Sequence, residues 1–308
     1  MRVLVLGAGA TGAYFGNRLI ESGADVSFLV RPRRAATLAS QGLVIRASSG
    51  TVQRPVDAIT AVPPGTKFDL VLLSCKAYDL ASAISAIAPA VESGACVLPL
   101  LNGLRHLDAL DAAFGRNRVL GGLCHISVTL AEDGSVRQVG SIARLTFGSR
   151  AETPAVPGDV RDGLLSISEE VIHSADVISA MWQKFAFLTA LAGITCLMRA
   201  NVGAIVAVAE GTELIRWMYL ECAEVARRSG HPPDDAALSE ALDILTAPHS
   251  PLKASMLRDV ERGQRTEVEH VLGDMLGRAG ALGVDAPLLA AACAQLRIHE
   301  ARLASGER

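Results

Sequence analysis

The chain has 308 residues, of which 50% are hydrophobic, 4% aromatic and 20% charged. At ~100–200 residues per domain, this length favours two domains, each able to bury its own core. The 29 Lys+Arg stand against 32 Asp+Glu for a net charge of −3, and 3 Tyr, 7 Phe and 2 Trp are few to stack on bases. That balance argues against a nucleic-acid partner, and the apolar fraction argues against disorder.

The most apolar stretch, Ala186 to Met198, is shorter than the ~18–20 residues a membrane span needs. The Val-Leu-Val-Leu run after Met1-Arg2 stops at Gly7, too early for the core of a signal peptide. Cys75, Cys96, Cys124, Cys196, Cys222 and Cys293 include no CxxC pair and read as small core residues in a reducing compartment. A soluble cytoplasmic protein without a membrane or metal site is the expectation, since the seven histidines also lack ligand spacing.

Residues 2–6 form an aliphatic strand that ends at Gly7-Ala8-Gly9-Ala10-Thr11-Gly12, and a helical pattern follows from Ala13 to Ser22. After the Gly23-Ala24-Asp25 turn, Val26–Val30 is a second buried strand. A GxGxxG alone is weak, but between a strand and a helix, with a second strand closing within thirty residues, it indicates a dinucleotide site. Gly7 permits the turn, Gly9 lets a pyrophosphate approach, and Gly12 lets helix and strand pack closely, with the phosphates on the helix N-terminus.

An NAD site usually places Asp or Glu at the end of the second strand. Here Arg31-Pro32-Arg33-Arg34 follows, and guanidinium forks suit an adenosine 2′-phosphate. NADP(H), with Arg31 as its contact, is therefore preferred over the alternative of a solvated basic loop.

Phe68–Cys75 and residues 94–101 are further buried strands, ending at Lys76 and at Asn102-Gly103. Strands interspersed with helical stretches predict a doubly wound parallel sheet whose ligands lie beyond the strand C-termini, which brings Lys76 and Asn102 to the cofactor edge. Short strands are expected at 119–123, 136–139 and 145–147, with Asp133-Gly134 as a hairpin turn, and residues 151–159 as an exposed loop.

From Ser179 the pattern becomes helical. Residues 181–197 are apolar nearly all round, as in a helix at a domain core, and only Lys184 interrupts them near the start. A lone lysine there ordinarily snorkels to water. Helices are expected over 203–229, 235–246, 255–282 and 286–304. The fold class is thus α/β, an N-terminal Rossmann-type doubly wound parallel sheet (1–176) followed by an all-α C-terminal domain (177–308). The apolar surplus of the second half serves either a core or a homodimer face.

The chain resembles the ketopantoate reductase (2-dehydropantoate 2-reductase) family over almost its whole length. The resemblance rests on Gly7-x-Gly9-x-x-Gly12, Cys75-Lys76-Ala77, Leu101-Asn102-Gly103, Trp182-Gln183-Lys184-Phe185, and Ala254-Ser255-Met256-Leu257-Arg258-Asp259 followed by Arg265-Thr266-Glu267. It implies NADPH-dependent reduction of a small-molecule 2-keto acid to the 2-hydroxy acid, a step of pantothenate biosynthesis in that family, in a cleft between a Rossmann domain and a helical domain. By position, Lys184 matches the catalytic proton donor, Glu267 the acid that bonds the substrate hydroxyl, and Ser255 a contact to the substrate carboxylate. Lys76 and Asn102 match residues at the nicotinamide end of the cofactor and the substrate.

Hydride addition builds charge on an oxygen, which a positioned cation stabilises and then protonates, the more readily if desolvation lowers its pKa. The match is incomplete on the substrate side. One and two turns beyond the lysine the family commonly carries asparagines, where this chain has Leu188 and Ala192. A third aligns with Val202 or, shifted by one residue, with Asn201. Losing amide partners alters recognition of a polar substrate and points to a more apolar 2-keto acid. Two other readings stay open, another two-domain NAD(P)-dependent hydroxyacid dehydrogenase and a non-catalytic NADP-binding regulator. Retention of both Lys184 and Glu267 weighs against the regulator.

Overall fold

The computed structural model describes residues 1–306. The chain divides into two compact units, one made of Met1–Leu101 with His106–Val177, the other of Asn102–Arg105 with the chain from Ile178 onward. Asn102–Arg105, part of the cofactor half in the sequence-based division, groups with the helices.

The first unit runs β1 (Arg2–Leu6), α1 (Ala10–Glu21), β2 (Asp25–Leu29), α2 (Pro32–Gln41), β3 (Leu43–Ala47), β4 (Gly50–Arg54), β5 (Asp57–Ile59), β6 (Leu70–Leu73), α3 (Leu80–Glu92), β7 (Cys96–Pro99), α4 (His106–Phe114), β8 (Gly121–Leu130), β9 (Val136–Gly148), α5 (Gly158–Leu165) and β10 (Val171–His173). Its main sheet has the order β5-β2-β1-β6-β7 and is parallel throughout. Leu4 of β1 stands opposite Ser27 of β2 on one side and Val71 of β6 on the other. All four residues of β6 are fully buried, the continuous apolar run expected of a parallel strand covered on both faces. Because the strands share a direction, Gly7, Arg31 and Lys76 all leave the sheet at its C-terminal edge.

The second sheet orders β10-β9-β3-β4, with β8 paired antiparallel to β9. The two short strands expected at 136–139 and 145–147 are one strand, β9. Their apparent separation comes from Gly140, at φ +84°, and from a register irregularity between Ile126 and Val128 of the partner strand. Both interrupt the alternation that marks a strand. The small strands β3, β4 and β5 carry polar residues among their apolar ones and left no clear pattern in the sequence.

The second unit contains α6 (Val177–Met198), α7 (Val202–Val206), α8 (Gly211–Arg228), α9 (Asp235–Leu245), α10 (Ser255–Glu261), α11 (Leu272–Leu282) and α12 (Pro287–Ser305). The apolar stretch Ala186–Met198, read as too short for a membrane span, is part of the 22-residue helix α6, which as a whole is long and apolar enough to cross a membrane by length and composition. Within its most apolar window 61% is buried inside the protein, as in the central helix of a helical core.

The single helices expected over 203–229 and 255–282 are each broken. At the first break, a Cβ on Gly211 would collide with the Ile205 carbonyl, so α8 starts directly against the end of α7. At the second, Gly263 takes φ +62°, and Gln264 N–H donates back to the Asp259 carbonyl at 2.8 Å, which closes α10. Thr266 then gives both its N–H and its hydroxyl to Glu300 Oε1 of α12, each at 2.7 Å. These tertiary bonds offer the backbone an alternative to the helix, and they hold Glu267 and His270 in a turn.

Candidate active site

The glycine-rich loop joins β1 to α1. Gly7 takes φ +93°, its N–H donates to the Leu29 carbonyl at 3.0 Å, and the Ser74 hydroxyl donates to the carbonyls of Leu6 and Gly7. A Cβ at Gly12 would run into the Gly7 carbonyl oxygen and Ser74 Oγ, so the close approach of helix to strand excludes every other residue. A Cβ at Gly9 would meet nothing within 4 Å, which leaves that side of the loop open. Gly9 is the N-cap of α1 and supplies no side chain, and the first turn holds no acid. The N-terminal amides of Ala10, Thr11 and Gly12 therefore present an uncompensated positive end to that open side, an arrangement suited to a pyrophosphate. Ala8 is buried, and its carbonyl accepts from Arg34 Nε at 3.0 Å.

The basic cluster at the end of β2 is smaller than the sequence suggests. Pro32 opens α2 at its first position, with Arg31 as the N-cap. Arg34 turns inward and spends Nε on Ala8 and Nη1 on the Gly134 carbonyl at 2.9 Å, tying the glycine-rich loop to the β8–β9 hairpin. Arg31 and Arg33 remain exposed. The Arg31 side chain is 75% exposed and donates one N–H to Asp79 Oδ1 at 2.8 Å, leaving the rest of its fork for a phosphate. Asp79 is the acid that local sequence could not supply at this position. It lies 48 residues along the chain from Arg31. Lys76 follows β6, half-buried, as the N-cap of a single 3-10 turn over Ala77–Asp79.

The second unit holds the proton-transfer candidates. Lys184 lies one turn into the buried body of α6, next to buried Met181, Trp182 and Phe185. Its ammonium donates to Asn102 Oδ1 at 3.3 Å, so it is engaged inside the unit and does not simply extend to water. The Trp182 ring stacks with His231, at 5.8 Å between centroids, and lies 5.3 Å from the Arg278 guanidinium, contacts that anchor this end of α6.

Glu267 is half-buried in the turn before α11, where its carbonyl accepts from the N–H groups of His270 and Val271. The Glu267 charge acts on the His270 imidazole, and that imidazole hydrogen-bonds the backbone of Asn102. Lys184, Asn102, His270 and Glu267 thus form one connected cluster. Ser255 stands exposed at the first position of α10, and among the described residues no side-chain hydrogen bond ties it to that cluster.

The apolar substitutions in α6 lie where the helix geometry puts them. Leu188 is half-buried one turn beyond Lys184, and Ala192 is buried one turn further. Val202 is fully buried, and Asn201 Oδ1 is committed to capping α7 by accepting from Ala204 N–H at 2.9 Å. Sequence reasoning missed His270 and Asp79. Spacing three residues from Glu267 was the available sign for His270, whereas nothing local marks Asp79.

A family model described as "Ketopantoate reductase PanE/ApbA" matches residues 3–152, and one described as "Ketopantoate reductase PanE/ApbA C terminal" matches residues 176–300. An uncharacterized oxidoreductase, YkpB of Bacillus subtilis (strain 168), is 37% identical over 98% of this chain and 99% of its own. The crystal structure of a PanE/ApbA family ketopantoate reductase from Ralstonia eutropha JMP134 is similar with a TM-score of 0.85 at 27% identity, covering 99% of this chain and 100% of that one. D-mandelate dehydrogenase, in a ternary structure with NADH and anilino(oxo)acetate, shares the fold with a TM-score of 0.87 at 19% identity over 99% of both chains.

Proposed function

Since this chain belongs to the ketopantoate reductase family, we propose that it reduces a 2-keto acid to the 2-hydroxy acid with NADPH, and that Lys184 donates the proton. The single observation that carries the reading is the hydrogen bond from the Lys184 ammonium to Asn102 Oδ1, at 3.3 Å beside the core of the helical unit. A sensor of cofactor alone has no use for a tethered ammonium there.

The residues present fit a dinucleotide. The Gly12 contact leaves no room for a side chain, the Gly9 side of the loop is open, and α1 has no cap of its own. Gly7 to Gly12 would hold the pyrophosphate, Arg31 the 2′-phosphate, and Lys76 and Asn102 the nicotinamide end. When bound, NADPH supplies the hydride that reaches the keto carbon.

The chain's own residues do the rest. Lys184 faces the developing alkoxide as a cation and then gives it a proton, which neutralises the charge as it forms. Asn102, an acceptor at its amide oxygen, keeps the amine from wandering. Glu267 accepts from the product hydroxyl, and Ser255 donates to the substrate carboxylate. Leu188 offers apolar surface, and Ala192 no amide, where a polar substrate would seek partners. This supports a 2-keto acid with an apolar or branched side chain over one bearing a hydroxyl, because a buried hydroxyl without a partner costs about 1–3 kcal/mol.

The test follows cofactor absorbance with a panel of 2-keto acids, ketopantoate included, with NADPH and NADH in parallel. Oxidation of NADPH with an apolar keto acid, faster than with ketopantoate, is the expected result. Binding of NADPH without turnover of any keto acid defeats the reading.

A further inference from the structure

The turn that presents Asn102 to Lys184 is held by a group with no part in the chemistry above. His270 stands where the chain leaves the irregular stretch after α10 and enters α11, and it is only 9% exposed. Its main chain and its ring both press on Gly103. A Cβ at Gly103 would lie 2.9 Å from the His270 carbonyl oxygen, 3.6 Å from His270 Cδ2 and 3.6 Å from Phe185 Cε2. Gly103 itself is at φ +79°, a conformation that glycine alone adopts without strain. The His270 imidazole completes the grip by hydrogen-bonding the backbone of Asn102. Three separate segments therefore meet at one point. They are α6 through Phe185, next in sequence to Lys184, then the Asn102–Arg105 turn, and the entry to α11.

Resting on the reductase reading, we propose that His270 is a positioning residue for proton delivery: its neutral imidazole fixes the Asn102 backbone, and through it the amide oxygen that holds the Lys184 ammonium. A neutral ring has one N–H to give to a carbonyl.

The groups whose charges face the ring are Glu267 in the preceding turn, Asp274 on α11 and Arg105 from the Asn102 turn. Asp274 is already paired with Arg278 at 3.1 Å. Burial is the largest influence and holds the imidazole below its usual 6.5, in spite of the two carboxylates. The ring is thus neutral at neutral pH. Charging it in acid adds a cation to a site that already holds Arg105 and the Lys184 ammonium, and so disturbs the Asn102 turn.

The experiment uses full-length protein with His270→Leu and His270→Gln, the first without a donor, the second with a donor that does not titrate. Circular dichroism and NADPH affinity establish that each variant is folded. His270→Leu should lower kcat by about tenfold to a hundredfold, the scale of a displaced catalytic group, with KM and NADPH affinity changing far less. His270→Gln should recover most of that loss and lack the acid-side fall in kcat expected of the wild type. A His270→Leu enzyme with wild-type kcat overturns the proposal. If His270→Leu does not fold, a His270→Gln enzyme that keeps the wild-type acid limb overturns it.

A readout independent of turnover separates this idea from the reductase reading. The Asn102 side-chain amide resonances in ¹H–¹⁵N spectra should shift in His270→Leu and return toward their wild-type positions in His270→Gln. A wild type inactive on every keto acid defeats the reductase reading, whereas Asn102 amide signals unchanged in His270→Leu defeat the positioning role.

Discussion

The glycine-rich loop and the Lys184 cluster are assembled in opposite ways. Gly7, Gly9 and Gly12 lie within six residues, between one strand and one helix; positive φ selects Gly7, the contact with the Gly7 carbonyl and Ser74 selects Gly12, and Gly9 leaves its side of the loop open. Lys184, Asn102, Glu267 and His270 come from three distant stretches of the chain and meet only because α6, the turn after β7 and the entry to α11 pack together. The first kind of site tolerates change around it but not within it. The second depends on packing, and a residue that touches no substrate can govern it.

Substitutions that strike one region and spare the other test this contrast. Lys184→Ala should have the largest effect, a loss of about 10²–10⁴-fold in kcat, while NADPH affinity measured by fluorescence titration stays near the wild type. Full activity would break the contrast at its centre. Gly12→Ala should abolish NADPH binding, because its Cβ would meet backbone and Ser74 that cannot both retreat. The Trp182 environment in the helical unit, followed by near-UV circular dichroism, should persist.

Arg31→Ala should weaken NADPH by about tenfold without weakening NADH, since it removes a charged hydrogen bond and frees Asp79 for a ribose hydroxyl. Equal losses for both cofactors would remove Arg31 from the 2′-phosphate.

The smallest effect concerns stability against pH. Folding holds the His270 pKa below the unfolded value of 6.5, so the unfolded chain takes up this proton first as the pH falls. Its contribution is complete above about pH 6.5 and is lost progressively as the pH drops through the lowered native pKa. Thermal unfolding across that window should therefore show a steeper acid-side decline in the wild type than in His270→Gln.

Legibility followed the same division. The parallel sheet, the loop and the long apolar helix could be read directly, because strand burial, glycine sterics and helical periodicity act over a few residues. The breaks at Ala207–Glu210 and Arg262–Val271 could not, since Thr266 is drawn from the helix by Glu300, a residue 34 positions away. Arg34 belongs to the basic cluster after β2, yet it is consumed by the carbonyls of Ala8 and Gly134, the latter 100 residues distant.

The amino-acid sequence by itself therefore determined the cofactor fold, the identity of the loop glycines and the presence of one lysine in an apolar helix. Those features arise from backbone sterics and from the hydrophobic period, which need no partner from elsewhere in the chain. Only the tertiary structure decided that the lysine is tethered to Asn102, that His270 grips that turn, and that Arg31 shares its position with Asp79. Hydrogen bonds and ion pairs reach only ~3 Å, so they exist only where folding brings distant residues together.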